Sequence, residues 1–139
     1  MDKKQKVLDF IKSQRYAVLT TINYSNKPES AAMGIGETDN LELILGTYSS
    51  SRKYINLQTN QNVALVIGWD EYVTVQYEGI AAEISGEEKE KLVNIYLAKK
   101  ENAAKYKDNP EEKYFKVTPT WIRYSNLNKE TCDIFEITF

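Results

Sequence analysis

No histidine occurs anywhere in this chain, and its one cysteine, Cys132, can form no internal disulfide. The first absence removes Ser-His-Asp and Cys-His catalysis, the usual zinc sites and histidine-ligated haem together. Carboxylate-only sites for magnesium or calcium stay open, but no loop shows the alternating Asp and Asn spacing that marks one. Cys132 sits beside Asp133 in a stretch that reads as strand, where a small packed residue is expected rather than a nucleophile. There is no apolar run of membrane-spanning length. The charged start Met1-Asp2-Lys3-Lys4-Gln5-Lys6 is not followed by the apolar core of a signal peptide, so the cytoplasm is the expected compartment. A net charge of −2 lacks the basic excess of a general nucleic-acid binder, so any chemistry with phosphate has to be local.

What is present describes an ordinary soluble domain. With 139 residues, 42% of them hydrophobic and 27% charged, the chain can bury roughly two-thirds of its unfolded surface around one core. No repeat, linker or low-complexity tract divides it, and residues 1–139 are read as a single domain. Asp2 with Gln5 suggests a capping box for a helix running to about Gln14, with Val7, Leu8 and Ile11 on its apolar face. Tyr16–Ile22 and Glu29–Gly36 read as strands joined by the turn residues Ser25-Asn26-Lys27-Pro28. In the second of these, Ala31, Ala32, Gly34 and Gly36 are small for a sheet, which marks a bend or bulge, or a place where another group meets the backbone.

After the turn at Thr38-Asp39-Asn40, the strand Leu41–Gly46 leads into Thr47-Tyr48-Ser49-Ser50-Ser51-Arg52-Lys53. The serines offer N-cap oxygens, and Tyr54, Ile55 and Leu57 support about two helical turns before Asn60 stops them. Arg52 and Lys53 then lie in the first turn, where the helix dipole disfavours cations by roughly 0.3–1 kcal/mol each. A bound anion reverses that sign. Backbone N–H groups, hydroxyls, a guanidinium and an ammonium converging there suit a phosphate monoester, and a solvated helix start with two surface cations is the alternative.

The nearly continuous apolar run Val63–Trp69 predicts a central strand buried on both faces. Tyr72–Ile84 is a long strand with a bend expected at Gly79. Ser85-Gly86-Glu87-Glu88 opens a helix expected to reach about Tyr106, with Leu92, Val93, Tyr96, Leu97, Lys99 and Ala103 on its apolar side. Strands follow at Tyr114–Val117, after Pro119 at Trp121–Tyr124, and at Asp133–Phe139. The sum is a mainly β fold, a six- to seven-stranded antiparallel split β-barrel with peripheral helices.

Three of these stretches resemble the pyridoxamine 5′-phosphate oxidase-like flavin-binding split barrels, including their general stress protein branch. They are Leu45-Gly46-Thr47 through Ser51-Arg52-Lys53, Asn60–Leu65 with Trp69, and Val73–Ala81 with its Glu78-Gly79 pair. The resemblance covers about residues 5 to 125. It implies an obligate homodimer with FMN in grooves between subunits, Thr47, Ser51, Arg52 and Lys53 at the phosphate, and the backbone of Ala32, Met33 and Gly34 along the isoalloxazine. Gln76 either meets a polar edge of the flavin or is an ordinary outward strand residue. Trp121 and Trp69 either stack near the flavin or pack the core, with the core favoured for Trp69. The oxidase's basic residues in the second strand have no counterpart here, and of the arginine and histidine residues near its C-terminus that bind substrate the histidine is missing, so a true pyridoxamine phosphate oxidase is not expected. The implied activity is FMN-dependent oxidoreduction of an unidentified small molecule, with no catalytic acid or base evident. The alternatives are a non-catalytic flavin-binding stress protein and a binder of another phosphate-bearing cofactor such as a deazaflavin.

Overall fold

The computed structural model describes residues 2–128, 130 and 132–139. Helix α1 (Lys3–Lys12) buries Val7, Leu8 and Ile11, as the spacing requires, and ends sooner than Gln14. Asp2 caps it through Lys4 N–H at 3.4 Å, but Gln5 turns to Asp9 instead of closing a box. The strands are β1 (Tyr16–Ile22), β2 (Pro28–Gly34), β3 (Gly36–Glu37), β4 (Leu43–Tyr48), β5 (Asn62–Ile67), β6 (Val73–Glu83), β7 (Glu112–Asn126) and β8 (Asp133–Thr138). Every pairing among them is antiparallel. Only Ile35 separates β3 from β2, and counting those two as one interrupted strand leaves seven, within the expected number.

The hydrogen-bonded order is β2-β1-β5-β6-β7-β4-β3, with β8 on the C-terminal half of β7. Since β2 begins this order and β3 ends it, the chain itself crosses the gap through Ile35 and curls the sheet into a barrel with an unladdered seam. That seam is the split. Inside lie Leu19, Leu43, Leu45, Leu65, Val75, Tyr77, Val117 and Ile122, all almost fully buried. Tyr77 donates from its hydroxyl to the carbonyls of Leu41 and Val117, which satisfies a polar group that burial would otherwise make costly.

Gly79 is the expected bend. The β6–β7 register shifts between Glu78 and Gly79, and Gly79 faces Pro119, whose missing N–H costs nothing at a bulge. β7 consequently runs unbroken through Pro119 where two separate strands were expected.

Helix α2 (Arg52–Thr59) covers one end of the barrel, and α3 (Gly86–Lys99) with a 3-10 helix (Glu101–Tyr106) covers β3 and β4. Ser85 makes no side-chain cap bond, so the second expected capping box does not form, and the α-helix stops at Lys99 rather than reaching Tyr106. Cys132 is exposed and precedes β8 instead of packing within it. Trp69 also departs from expectation, standing 55% exposed in the β5–β6 connection. Among the described residues, no helix is long and apolar enough to cross a membrane, and no group of His, Cys, Asp or Glu could hold a metal ion.

Candidate functional site

β4 delivers the chain to the start of α2, where Ser51 is the N-cap. Its Oγ accepts from Tyr54 N–H at 3.3 Å, donates to the Tyr48 carbonyl at 2.8 Å, and lies 2.8 Å from Thr47 Oγ1. Both hydroxyls are therefore committed to holding the turn, and Thr47 is buried. The N–H groups of Arg52 and Lys53 in the first turn have no intrahelical acceptor. Their charges act on different carboxylates. Arg52 Nη1 donates to Glu29 Oε2 at 3.1 Å, and the Arg52 side chain is 73% exposed. The charge of Lys53 acts on Glu112, whose carboxyl is pushed above its usual range by burial and drawn back by that ammonium.

Sequence reasoning did not single out Glu29, yet it is the most elaborately held group at this site. Asn56 Nδ2 donates to Oε1 at 2.9 Å, and Asn23 Nδ2 to Oε2 at 3.3 Å. The Asn56 bond, then that from Asn23 and the Arg52 charge, hold the carboxyl below the ordinary range. A lone glutamate among Ser, Pro and Ala gives no sequence signal for this, since its partners come from a loop and a helix.

The other expected residues lie on β2 and on the outer face of the sheet. One cross-strand row there runs Ala32, Val18, Val66, Gln76, Arg123, Glu136, and the next runs Ser30, Thr20, Ala64, Glu78, Trp121, Thr138. Gln76 and Trp121 line a shared depression of about 130 Å³ with Val18, Ala64 and Val66. Trp121 is half-buried and donates from Nε1 to Glu136 Oε1 at 2.9 Å. Glu136, also bound by Arg123, is likewise held below the usual carboxylate range, chiefly by the Trp121 bond. Of the Ala32-Met33-Gly34 stretch, Ala32 is exposed, Met33 packs against the core, and the space a Gly34 Cβ would take holds the Lys100 tail, with Cε 2.6 Å away. Gly36 similarly admits Tyr96 of α3. The small residues at the end of this hairpin thus serve helix packing.

β2 joins the two halves of the site. It is an edge strand, so the backbone groups facing away from β1 are not in the ladder, and its Glu29 reaches Arg52 while Ser30 and Ala32 lie on the outer face. The expectation that β5 is buried on both faces fails in this single chain. Val63, Leu65 and Ile67 are buried, whereas Ala64 and Val66 stand exposed.

Fold and site define the class as a small split β-barrel with a cation-bearing helix start and an uncovered, partly apolar sheet face. The chain belongs to the pyridoxamine 5′-phosphate oxidase family, whose model matches residues 4–126. Among solved structures it is similar to General Stress Protein 26 from Bacillus anthracis str. Sterne, at 25% identity and TM-score 0.78, with all of both chains covered. It is similar too to a heme binding protein from Mycobacterium smegmatis, at 14% identity and TM-score 0.88, covering 99% of this chain and 58% of that one. Campylobacter jejuni ChuZ resembles it at 13% identity and TM-score 0.81, over 97% of this chain and 58% of that one. The chain therefore spans little more than half the length of the latter two, and these likenesses concern the fold. No curated protein matches it.

Proposed function

We propose that the chain binds FMN as a homodimer and is an FMN-dependent oxidoreductase acting on a small molecule. The observation that carries this is the first turn of α2, where the N–H groups of Arg52 and Lys53 lack intrahelical acceptors and the Arg52 side chain is largely exposed. Those donors fit a phosphate monoester. Thr47 and Ser51 fix the turn rather than donate, so Arg52, Lys53 and the backbone would hold the phosphate. Ala32 on the β2 edge, with Gln76 and Trp121 in the neighbouring depression, would line the ring. FMN supplies hydride chemistry once bound, and the chain orients it and limits access of water.

The homodimer is supported by β5. Its sequence is apolar on both faces, and a second copy laid across Val18, Ala64, Val66 and Trp121 covers what one chain leaves bare. Flavin fluorescence titration tests the cofactor. FMN should bind and quench, and changing both Arg52 and Lys53 to Ala should abolish binding at micromolar FMN. Unchanged binding by that double variant rejects the site.

Full-length likeness to a general stress protein supports a second reading, in which flavin is bound without turnover. Reoxidation of the reduced complex separates the two, since an oxidoreductase is accelerated above the free-flavin rate by some member of a broad small-molecule panel. Histidine-ligated haem is not carried over from the heme-binding relative, because the chain has no histidine.

A further inference from the structure

Resting on that cofactor reading, we propose that Glu29 is a built-in counter-ion that faces Arg52 and sets how strongly the start of α2 holds a phosphate monoester. An ordinary surface ion pair leaves both side chains loose. This carboxylate is instead fixed by two asparagines as well as by the guanidinium, and its side chain is only 20% exposed. Asn56 is itself buried and donates to Thr21 Oγ1 at 2.9 Å as well as to Glu29. Asn23 is pinned through its own Oδ1, which accepts from Ser25 N–H at 2.9 Å and Lys27 N–H at 3.0 Å. The negative charge thus stays in place whether or not Arg52 is drawn toward another anion.

The second cation, Lys53, has a more distant carboxylate neighbour. Glu112 lies where a Cβ on Gly46 would be, its Oε1 only 2.6 Å from that position, and it feels the Lys53 charge. The Glu29 carboxylate offsets the Arg52 charge directly, which lowers the net positive charge at the helix start. An incoming phosphate monoester, carrying roughly −1.5 to −2 charges near neutral pH, meets donors with good geometry but reduced net attraction. The free edge of Arg52 lets binding proceed, and Glu29 weakens it.

The test is fluorescence titration of the full chain with FMN and with riboflavin, which has the same ring and no phosphate. Glu29→Gln should tighten FMN about tenfold at low ionic strength, with the gain shrinking as salt is added, and leave riboflavin unchanged. Should that variant lose its melting transition, Glu29→Ser, which removes the charge and leaves room for water, carries the same expectation. If the native chain binds FMN and the variants bind it equally or more weakly, Glu29 only positions Arg52, and the counter-ion role is overturned while the cofactor reading stands. If neither native nor variant protein binds FMN, both fall. A variant that tightens both compounds equally also overturns the role, since the effect would then not act through phosphate charge.

Discussion

Single residues here resolve local conflicts that the sequence shows only in part. Leu41 adopts a left-handed φ of 66°, unusual for a branched side chain, yet its carbonyl receives the Tyr77 hydroxyl and its side chain is buried. Gly79 was legible as a bend, and its environment gives the reason. A Cβ would lie 2.5 Å from the Thr118 carbonyl oxygen, which is backbone and cannot swing aside. Gly79→Ala should therefore cost about 2 kcal/mol or more in denaturant unfolding. Lys99 illustrates what was not legible. It was read as part of a modest apolar face, but its ammonium is held, partly buried, by Glu37 and the Ile11 carbonyl. Lys99→Ala leaves the Glu37 carboxylate without its cation and should destabilise by about 3 kcal/mol, whereas changing both to apolar residues should recover much of the loss. Glu29 gives a pH signature. Its folded-state pKa is depressed, so its stabilisation is present above the ordinary carboxylate range and is lost as pH falls through the folded value. Melting temperatures of native protein and Glu29→Gln should differ at pH 7 and converge as pH falls through and below the ordinary carboxylate range.

At the scale of elements, α2 and β5 were placed correctly, α2 for the right reasons. Three serines in a row offered several caps, and the structure selects Ser51, because it alone precedes the apolar spacing by the distance that lets Oγ meet the Tyr54 N–H. Ser51→Ala should cost about 1 kcal/mol and loosen Thr47 as well, which a thermal melt will register. β5 was read as central, and it is, between β1 and β6. Its second face is exposed within the chain, and an apolar run does not by itself tell whether its own helices cover that face. The capping boxes at Asp2 and Ser85 failed for a shared reason. The motif supplies acceptors, but whether Gln5 or Ser85 turns back to the helix depends on competing partners and backbone entry angle, neither of which the local sequence fixes.

Taken as a whole, the molecule is a barrel whose strand order the alternation of residues could not reveal. Only pairing shows that β2 and β3 end the same sheet and that one residue carries the chain between them. The turn proposed to hold phosphate was visible because its residues are contiguous, whereas Glu29, Asn23 and Asn56 were hidden because they meet only in the fold. Trp69 was misread because an aromatic after an apolar strand suggests core, and here the strand has ended and the hairpin carries the ring outward. The uncovered face around Val66 makes a direct test of the assembly possible. Val66 is 38% exposed, so a charge there should be tolerated by a lone chain and rejected by a dimer built on that face. The decisive measurement is light-scattering mass with simultaneous flavin absorbance on the native chain and on Val66→Glu, each saturated with FMN. The expected result is a native dimer carrying one FMN per protomer and a folded Val66→Glu monomer carrying none. A native monomer that holds FMN, or a Val66→Glu protein that dimerises and binds it undiminished, would contradict a cofactor site shared between two copies of this face.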